Sequence, residues 1–280
     1  MSKLLFGTAG IPMSAKGTDT ATGIKAVREL GLDAMELEFV QSVNISKENA
    51  PKIKAVAEKE GIVLTCHAPY YINLNAVEAE KVEASKKRLA KAAEIAWLCG
   101  GVSVAFHPGF YLGSSKEAAY EKVKTELKSV VAGLKDVGCG IWVRPETTGK
   151  RTQFGDLNEI LRLCSEIEQV MPCIDYAHMH ARAGKNNSSN EFTEILTAVE
   201  KTLGKESLKN MHIQISGVNY TEKGERNHMP LKDSDLKYEA IVKSWEEFKI
   251  AGIVISESPN IEGDALMLKE FYNNSENEKV

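Results

Sequence analysis

Side chains that bind divalent cations recur along this 280-residue chain, each at the end of a short apolar run. Asp175 follows such a run, and His178 lies three residues later. An Asp and a His at the end of a buried strand are preferred ligands for a divalent cation. A turn-capping Asp followed by a surface His would give the same sequence pattern, but the recurrence of this pattern along the chain favours metal binding. Similar runs end at or near His67, His107, Glu146, His212 and Glu257.

The elements that must position these side chains alternate along the chain. Short β-rich runs alternate with longer segments of helical period, which is the pattern of βα units around a parallel sheet. The clearest helix has apolar residues three and four positions apart from Tyr120 to Leu134. Eight such units predict one α/β domain over residues 1–280, a single (β/α)8 TIM barrel, with 273–280 as a frayed tail.

The predicted strands cover residues 3–7, 33–39, 62–67, 102–107, 141–146, 173–175, 208–215 and 252–257. Two stretches between them are rich in polar residues and are predicted as loops. These are 182–190 and the long segment from Ser216 to about Asp235.

In a barrel of this kind, the loops after the strands build the active site. Strands three to eight are predicted to end at His67, His107, Glu146, Asp175, His212 and Glu257, which would then surround one mouth. His178 lies just beyond Asp175, and His228 lies in the loop after strand seven. This set exceeds what one tetrahedral zinc ion uses, so two or more ions bridged by a carboxylate are expected. Imidazole ligands favour zinc, and paired metals suit phosphoryl chemistry.

Composition limits the class of protein. The net charge of -4 does not exclude nucleic acid, because two or three bound divalent cations would add about four to six positive charges at the mouth. The five cysteines form no CxxC pair, so neither a disulfide framework nor a thiolate zinc site is expected. No apolar run resembles a membrane span or a signal peptide, so we expect a cytoplasmic protein without a membrane partner.

Five of these motifs together resemble the endonuclease IV family of abasic-site endonucleases. The similarity is carried, in chain order, by HAPYYINL with His67, FHPG with His107, PETTGK with Glu146, CIDYAH with Asp175 and His178, and SESPN with Glu257. The resemblance implies a zinc-dependent DNA repair enzyme, and because one barrel suffices to contact a lesion, we expect a monomer. Such an enzyme hydrolyses the phosphodiester 5′ to an abasic site in duplex DNA and leaves a 3′-hydroxyl and a 5′-deoxyribose phosphate.

The resemblance also implies which residues bind Zn2+. His67, His107 and Glu146 would hold one ion. Glu146 as a bridge, together with Asp175, His212 and Glu257, would hold a second, and His178 with His228 a third. The expected catalytic residues are Glu146, Asp175 and Glu257.

One position departs from the family pattern. The family usually has an Asp two residues before the loop His, whereas this chain has Arg226 before His228. Glu225 or Glu222 replaces the Asp, or the third ion is weakly held, or the cluster has only two ions. Because the ligands of the other two ions are present, we expect activity to survive.

The resemblance and the predicted loops suggest DNA contacts. Tyr70 follows the first His motif, where the family presents an aromatic ring to DNA; it either wedges into the duplex or packs over the barrel top. Arg182, Lys185 and Arg226 lie in predicted loops at the same mouth and are candidates for phosphate contacts. His180 is expected behind the metal ligands or at the surface.

Two other functions remain open. A sugar isomerase or epimerase on the same barrel needs one metal, for which Glu146, Asp175, His212 and Glu257 would suffice. The extra histidines favour the multi-metal alternative. A barrel that binds abasic DNA without cleaving it is the other possibility, suggested by Arg226.

Overall fold

A computed structural model describes residues 3–277 of the chain. Eight parallel strands form its centre: β1 Leu4–Ala9, β2 Ala34–Glu38, β3 Val63–His67, β4 Ser103–Phe106, β5 Trp142–Pro145, β6 Cys173–Asp175, β7 Met211–Ile215 and β8 Gly252–Ser256. Neighbours in sequence pair from β1 to β5 and from β6 to β8, and β1 also pairs with β8. Single bridges from Val143 to Val170 and from Glu146 to Cys173 join the remaining two edges. The prediction of a single (β/α)8 barrel is confirmed.

Helices surround these strands and cover their outer faces. They are α1 Thr20–Glu29, α2 Ala50–Glu60, α3 Ala79–Leu98, α4 Lys116–Asp136, α5 Leu157–Glu166, α6 Tyr176–Ala183, α7 Ser189–Leu203, α8 Tyr238–Glu247 and α9 Glu262–Asn277. The apolar stripe predicted from Tyr120 to Leu134 is buried along α4, as its spacing requires. None of the helices in residues 3–277 has the length and apolar character needed to cross a membrane.

Local sequence sets several helix ends. Asp156 caps α5 in a capping box, in which its carboxylate accepts from the Glu159 amide and the Glu159 carboxylate accepts from the Asp156 amide. Gly61 ends α2 with φ of +67°, a backbone conformation that glycine adopts at low cost. The Asp156 cap follows β5 and lies on the side of the barrel where the strands end, whereas Gly61 precedes β3 and lies on the side where they begin.

Two segments predicted as loops contain regular structure. Residues Gly217–Thr221 and Gly224–Met229 form an antiparallel hairpin, and α6 begins directly after β6, so that Arg182 is helical. The hairpin is too polar for an apolar alternation to reveal it, and α6 is too short for a clear helical period. Helix α9 runs to Asn277 and so includes much of the predicted frayed tail; residues 278–280 lie outside the described part.

Candidate metal centre

The first group of potential ligands comes from the ends of three adjacent strands. His67 Nε2 lies 3.1 Å from Glu146 Oε2, and His107 Nε2 lies 3.0 Å from Glu146 Oε1. His67 donates its Nδ1 hydrogen to the backbone carbonyl of Ala68 at 2.8 Å. Because a carbonyl oxygen only accepts, that bond leaves Nε2 as the nitrogen that faces the carboxylate. The three ligand atoms lie within 4.8 Å of one another, close enough to share one cation.

A second group forms where α6 meets the hairpin. His178 Nδ1 lies 3.1 Å from the carbonyl of Thr147, and its Nε2 lies 3.3 Å from Glu225 Oε2. His228 repeats the arrangement, with Nδ1 3.2 Å from the carbonyl of Glu257 and Nε2 3.6 Å from Glu225 Oε1. His228 Nε2 is buried and has no hydrogen-bond partner within residues 3–277. A lone pair so placed fits a metal ion.

Asp175 and Glu146 connect the two groups. Glu146 Oε1 lies 2.8 Å from His178 Nδ1, and Asp175 Oδ1 accepts from the His178 amide at 2.7 Å and caps α6. Asp175 Oδ2 is buried without a hydrogen-bond partner among the described atoms. Glu257 Oε2 lies 3.9 Å from His228 Nδ1. Glu146 and Asp175 thus lie beside His178, Glu257 lies beside His228, and the two imidazole rings, with centroids 5.6 Å apart, border the same volume.

The charges in this volume shift one another's titration. Burial would lower the pKa of His67, but its hydrogen bond with Glu146 raises that pKa to about 10. Burial would raise the pKa of Glu146, but the surrounding imidazoles hold it well below its usual value. Burial, opposed by the charge of His178, raises the pKa of Asp175 to about 6. Burial and the charges of Glu146 and Asp175 raise the pKa of Glu257 well above its usual value. Bound divalent cations would relieve this repulsion.

A cavity of about 260 Å³ opens above these groups. Its walls include His67, Tyr70, His107, His178, Glu225, His228 and Glu257. These side chains lie at the carboxyl ends of the strands, where barrels of this class build their active sites.

His212 lies deeper in the barrel than the other predicted ligands and not at the end of its strand. It is the second residue of β7, because the strand begins at Met211 and continues to Ile215. Its Nδ1 lies 3.0 Å from the Ser103 hydroxyl and its Nε2 3.2 Å from Glu36 Oε2, both inside the barrel. The predicted role of His212 as a metal ligand is therefore not supported by its position.

The four residues proposed to contact DNA have different surroundings. Tyr70 is 56% exposed and its ring centroid lies 5.3 Å from that of His67, so it covers the first ligand group. Lys185 and Arg226 are exposed. Arg182 is half-buried, and its guanidinium donates to the carbonyls of residues 148, 150 and 153 and to the hydroxyl of residue 148. Those bonds hold a loop and do not favour a DNA contact.

The structure also shows residues that the sequence analysis missed or left undecided. Glu36 and Glu38 occupy alternate positions of β2, and Glu36 is fully buried beneath the mouth. Their spacing of two residues in a strand was a usable signal. Of the two acids considered beside Arg226, Glu225 faces His178, whereas Glu222 is exposed. His180 is buried behind the centre, 3.1 Å from Asp235 Oδ1.

Comparisons with known proteins place this centre in context. The family described as xylose isomerase-like TIM barrel matches residues 24–274. The uncharacterized protein MJ0133 of Methanocaldococcus jannaschii is 45% identical over 271 residues, which cover 96% of this chain and 97% of that protein. A probable endonuclease 4 of Mycoplasma pneumoniae is 28% identical over 162 residues, which cover 56% of this chain and only 54% of that protein.

Two solved structures share the fold. Endonuclease IV from Thermus thermophilus superposes with a TM-score of 0.71 at 22% identity, covering 96% of this chain and 99% of its own. A D-tagatose 3-epimerase-like protein superposes with a TM-score of 0.75 at 18% identity, covering 97% of this chain and 99% of its own. Both identities are low, so these likenesses describe the barrel and leave the reaction open.

Proposed function

The chain belongs to the xylose isomerase-like TIM barrel family, and from that premise we propose that it is a metal-dependent DNA repair endonuclease. In this proposal it hydrolyses the phosphodiester 5′ to an abasic site in duplex DNA. Zinc is the proposed metal at the imidazole ligands. The catalytic centre comprises Glu146, Asp175 and Glu257 with the neighbouring histidines.

The observation that carries the proposal is the fixed orientation of three imidazoles. His67, His178 and His228 each place Nδ1 against a backbone carbonyl and direct Nε2 at a carboxylate. Metal-binding histidines are commonly held in this way, because the outer bond sets the tautomer and the ring orientation. Two separate groups of this type exceed what a single-metal isomerase needs.

These residues fit a multi-metal centre. His67, His107 and Glu146 would hold one zinc ion, and His178, Glu225 and His228 another. When bound, such ions lower the pKa of water and neutralise charge on a phosphate. The protein's own contribution is to orient the ligands and to bury the carboxylates beneath the mouth.

Glu225 supplies the carboxylate that the departure at Arg226 left in question. Its amide donates to the Gly149 carbonyl at 3.1 Å, which docks the hairpin against the loop after β5. A Cβ at position 149 would lie 2.8 Å from the Glu225 Cβ, so the approach requires glycine there. Gly224 has φ of +99°, and a Cβ there would lie 2.3 Å from the Gly149 oxygen. In this proposal Glu225, which faces both His178 and His228, takes the role of the Asp expected two residues before His228.

A sugar isomerase or epimerase is the second candidate, favoured by the D-tagatose 3-epimerase-like neighbour. Its expected single-metal set needs an imidazole from β7 beside Glu146, Asp175 and Glu257. His212 is bonded to Ser103 and Glu36 below that level, so this set is incomplete. The endonuclease IV resemblance also expects His212 at one of its three ions, but the other two ligand groups, His67 with His107 and Glu146 and His178 with Glu225 and His228, do not depend on it.

The decisive experiment incubates zinc-loaded protein with a duplex that carries one synthetic abasic site. Products are resolved at single-nucleotide length, with Glu146→Gln as the inactive variant. Cleavage on the 5′ side of the lesion that Glu146→Gln abolishes supports the endonuclease. Binding without cleavage at saturating metal supports a damage-binding barrel. A duplex that is neither bound nor cut refutes both, and turnover of ketoses would then support the epimerase.

A further inference from the structure

The hairpin that follows β7 contains a β-bulge. Its Cα partners are Val218 with His228, Asn219 with Asn227, Tyr220 with Glu225, and Thr221 with Gly224. The register thus passes from Asn227 directly to Glu225 and leaves out Arg226. Arg226 is therefore the extra residue of the bulge. Bulges are common beside active sites, where they redirect a side chain.

The bulge brings Glu225 and His228 to one face of the hairpin. These residues are three positions apart in sequence, and a regular strand would direct them to opposite faces. Because the register leaves out Arg226, they are only two ladder positions apart, and both line the metal cavity. Arg226 is exposed and is not one of the described residues that line this cavity. The carboxylate therefore precedes the imidazole by two ladder positions, which equals the family's sequence spacing of two.

Tyr220 lies beside Glu225 on the same face. Side chains of cross-strand partners share a face of the sheet, and both of these side chains face α6. Glu225 Oε2 lies 3.3 Å from His178 Nε2, and the ring centroid of Tyr220 lies 4.8 Å from that of His180. Both histidines belong to α6, so the hairpin meets this helix at two neighbouring points.

Asp235 joins Tyr220 to His180. The Tyr220 hydroxyl donates to Asp235 Oδ2 at 2.9 Å, and His180 Nε2 lies 3.1 Å from Asp235 Oδ1. The other ring nitrogen of His180 lies 2.8 Å from the Lys185 carbonyl, and the ring is buried. The Asp235 carbonyl accepts from the Asn187 side-chain amide at 2.9 Å. We call Tyr220, Asp235 and His180 the hairpin anchor; none of the candidate metal ligands belongs to it.

The backbone at Glu225 is held from two sides. Its amide donates to the Gly149 carbonyl at 3.1 Å, in the loop after β5. On the other side its cross-strand partner, Tyr220, is fixed to α6 by the hairpin anchor. Loss of the anchor would leave the Gly149 contact to hold Glu225 between the two imidazoles of its ligand group.

We propose that Tyr220 is a positioning residue for the ligand group formed by His178, Glu225 and His228. Through the hairpin anchor, its side chain fixes the strand across from Glu225 against α6, and the bulge at Arg226 turns Glu225 to that same face. None of the motifs that carry the endonuclease IV resemblance includes a residue of the anchor. The inference rests on the metal centre of the proposed function but not on its substrate.

The first test removes only the Tyr220 hydroxyl. Tyr220→Phe keeps the ring against His180 but loses the hydrogen bond to Asp235. Removing the outer partner of a metal ligand commonly weakens metal binding by about 10- to 100-fold, and Tyr220 is one step further away, so a loss of about three- to tenfold is expected. Calorimetric titration of the metal-free protein with ZnCl2 measures affinity. Anomalous scattering from crystals at limiting zinc measures the occupancy of each group.

Two comparisons separate positioning from loss of the fold. The group of His67, His107 and Glu146 includes no hairpin residue and should keep its zinc affinity in Tyr220→Phe. The melting temperature of the metal-free variant should fall by less than about 3 °C, because the Asp235 side chain is 57% exposed and water replaces the lost bond. Tyr71→Phe, the same change at a tyrosine that is 67% exposed, is the control and should alter neither measurement.

A second test addresses the bulge. The double variant Glu225→Gln/Arg226→Asp has a carboxylate two residues before His228, as in the family pattern. Because position 226 lies outside the register, this variant should bind zinc at the hairpin group no better than Glu225→Gln alone, which is expected to lose at least tenfold. A regular strand would instead direct the new carboxylate to the cavity and restore the affinity.

Several results would overturn the inference. Equal zinc affinity of the hairpin group in the unmodified protein and Tyr220→Phe would show that Tyr220 positions nothing, and equal loss at both ligand groups would show a general effect on the fold. Restored affinity in the double variant would refute the role of the bulge. A hairpin group that binds no zinc in the unmodified protein would overturn both this inference and the proposed metal centre. Abasic-site cleavage is measured separately: the expected zinc affinities without cleavage refute only the endonuclease.

Discussion

Replacing Arg182 with alanine is expected to destabilise the protein without changing the salt dependence of the DNA binding that we propose. Its guanidinium donates to the carbonyls of Thr148, Lys150 and Gln153 and to the Thr148 hydroxyl, at 2.6 to 3.3 Å. These bonds connect α6, which carries His178, to the loop after β5, which carries Gly149. Arg182 therefore holds together two of the segments that form the metal centre.

The size of the effect follows from these bonds. A hydrogen bond to a charged group contributes about 1.5–3 kcal/mol, and the bonds of one side chain are not additive. Because Arg182 is half-buried, water reaches some of the freed acceptors, so the whole substitution is expected to cost about 2–4 kcal/mol. At about 2.1 cal/mol/K per residue, 280 residues give an unfolding entropy of about 0.6 kcal/mol/K. The melting temperature should then fall by about 3–7 °C.

The assay pairs calorimetry with DNA binding at several salt concentrations. Arg226→Ala serves as the control, because Arg226 is exposed and its removal should change stability by less than about 0.5 kcal/mol. If Arg182 instead bound a DNA phosphate, its substitution would reduce the slope of log affinity against log salt by about 0.9. An unchanged melting temperature for Arg182→Ala together with that reduced slope would refute our account of Arg182.

Three further predictions concern other parts of the molecule. Glu225→Gln should weaken zinc binding by His178 and His228 at least tenfold, whereas Glu222→Gln should not. The zinc content of each variant is measured after dialysis against buffered zinc. Equal loss of zinc from the two variants would contradict the assignment of Glu225. Leu127→Ala on α4 should cost about 2–5 kcal/mol in urea unfolding, against less than about 0.5 kcal/mol for the exposed Val137→Ala. Glu191→Gln should lower the melting temperature at pH 7 but not near pH 2. The hydrogen bond from the Ser188 hydroxyl and those from the amides of the preceding loop lower the pKa of Glu191 to about 2. The stabilisation by Glu191 is therefore present above the unfolded pKa of about 4.3 and is lost as the pH falls toward the folded pKa. For that comparison Glu194→Gln, an exposed change on the same helix, is the control, and a pH-independent difference would contradict the assigned cause.

Much of this protein is determined by short-range sequence patterns. The alternation of strand and helix period predicts the eight βα units, because a residue's burial in each unit depends mainly on its neighbours within a few positions. The candidate ligands His67, His107, Glu146 and Asp175 are predicted from residue type and position, because each lies at or just beyond the end of a strand. A strand end is a local feature, and the barrel brings such ends together.

Contacts between distant segments decided the rest. The register of β7 against its neighbours places Gln214 level with Asp175 and His212 one layer below, although both residues face inward. The approach of Glu225 to His178 depends on a hairpin docked on Gly149, far away in the chain. The bonds of Arg182 depend on the folded path of the loop after β5. Strand register and hairpin docking are set by interactions with many residues that are remote in sequence. A local pattern therefore indicates the candidate ligands, and only the tertiary structure determines which of them lie close together.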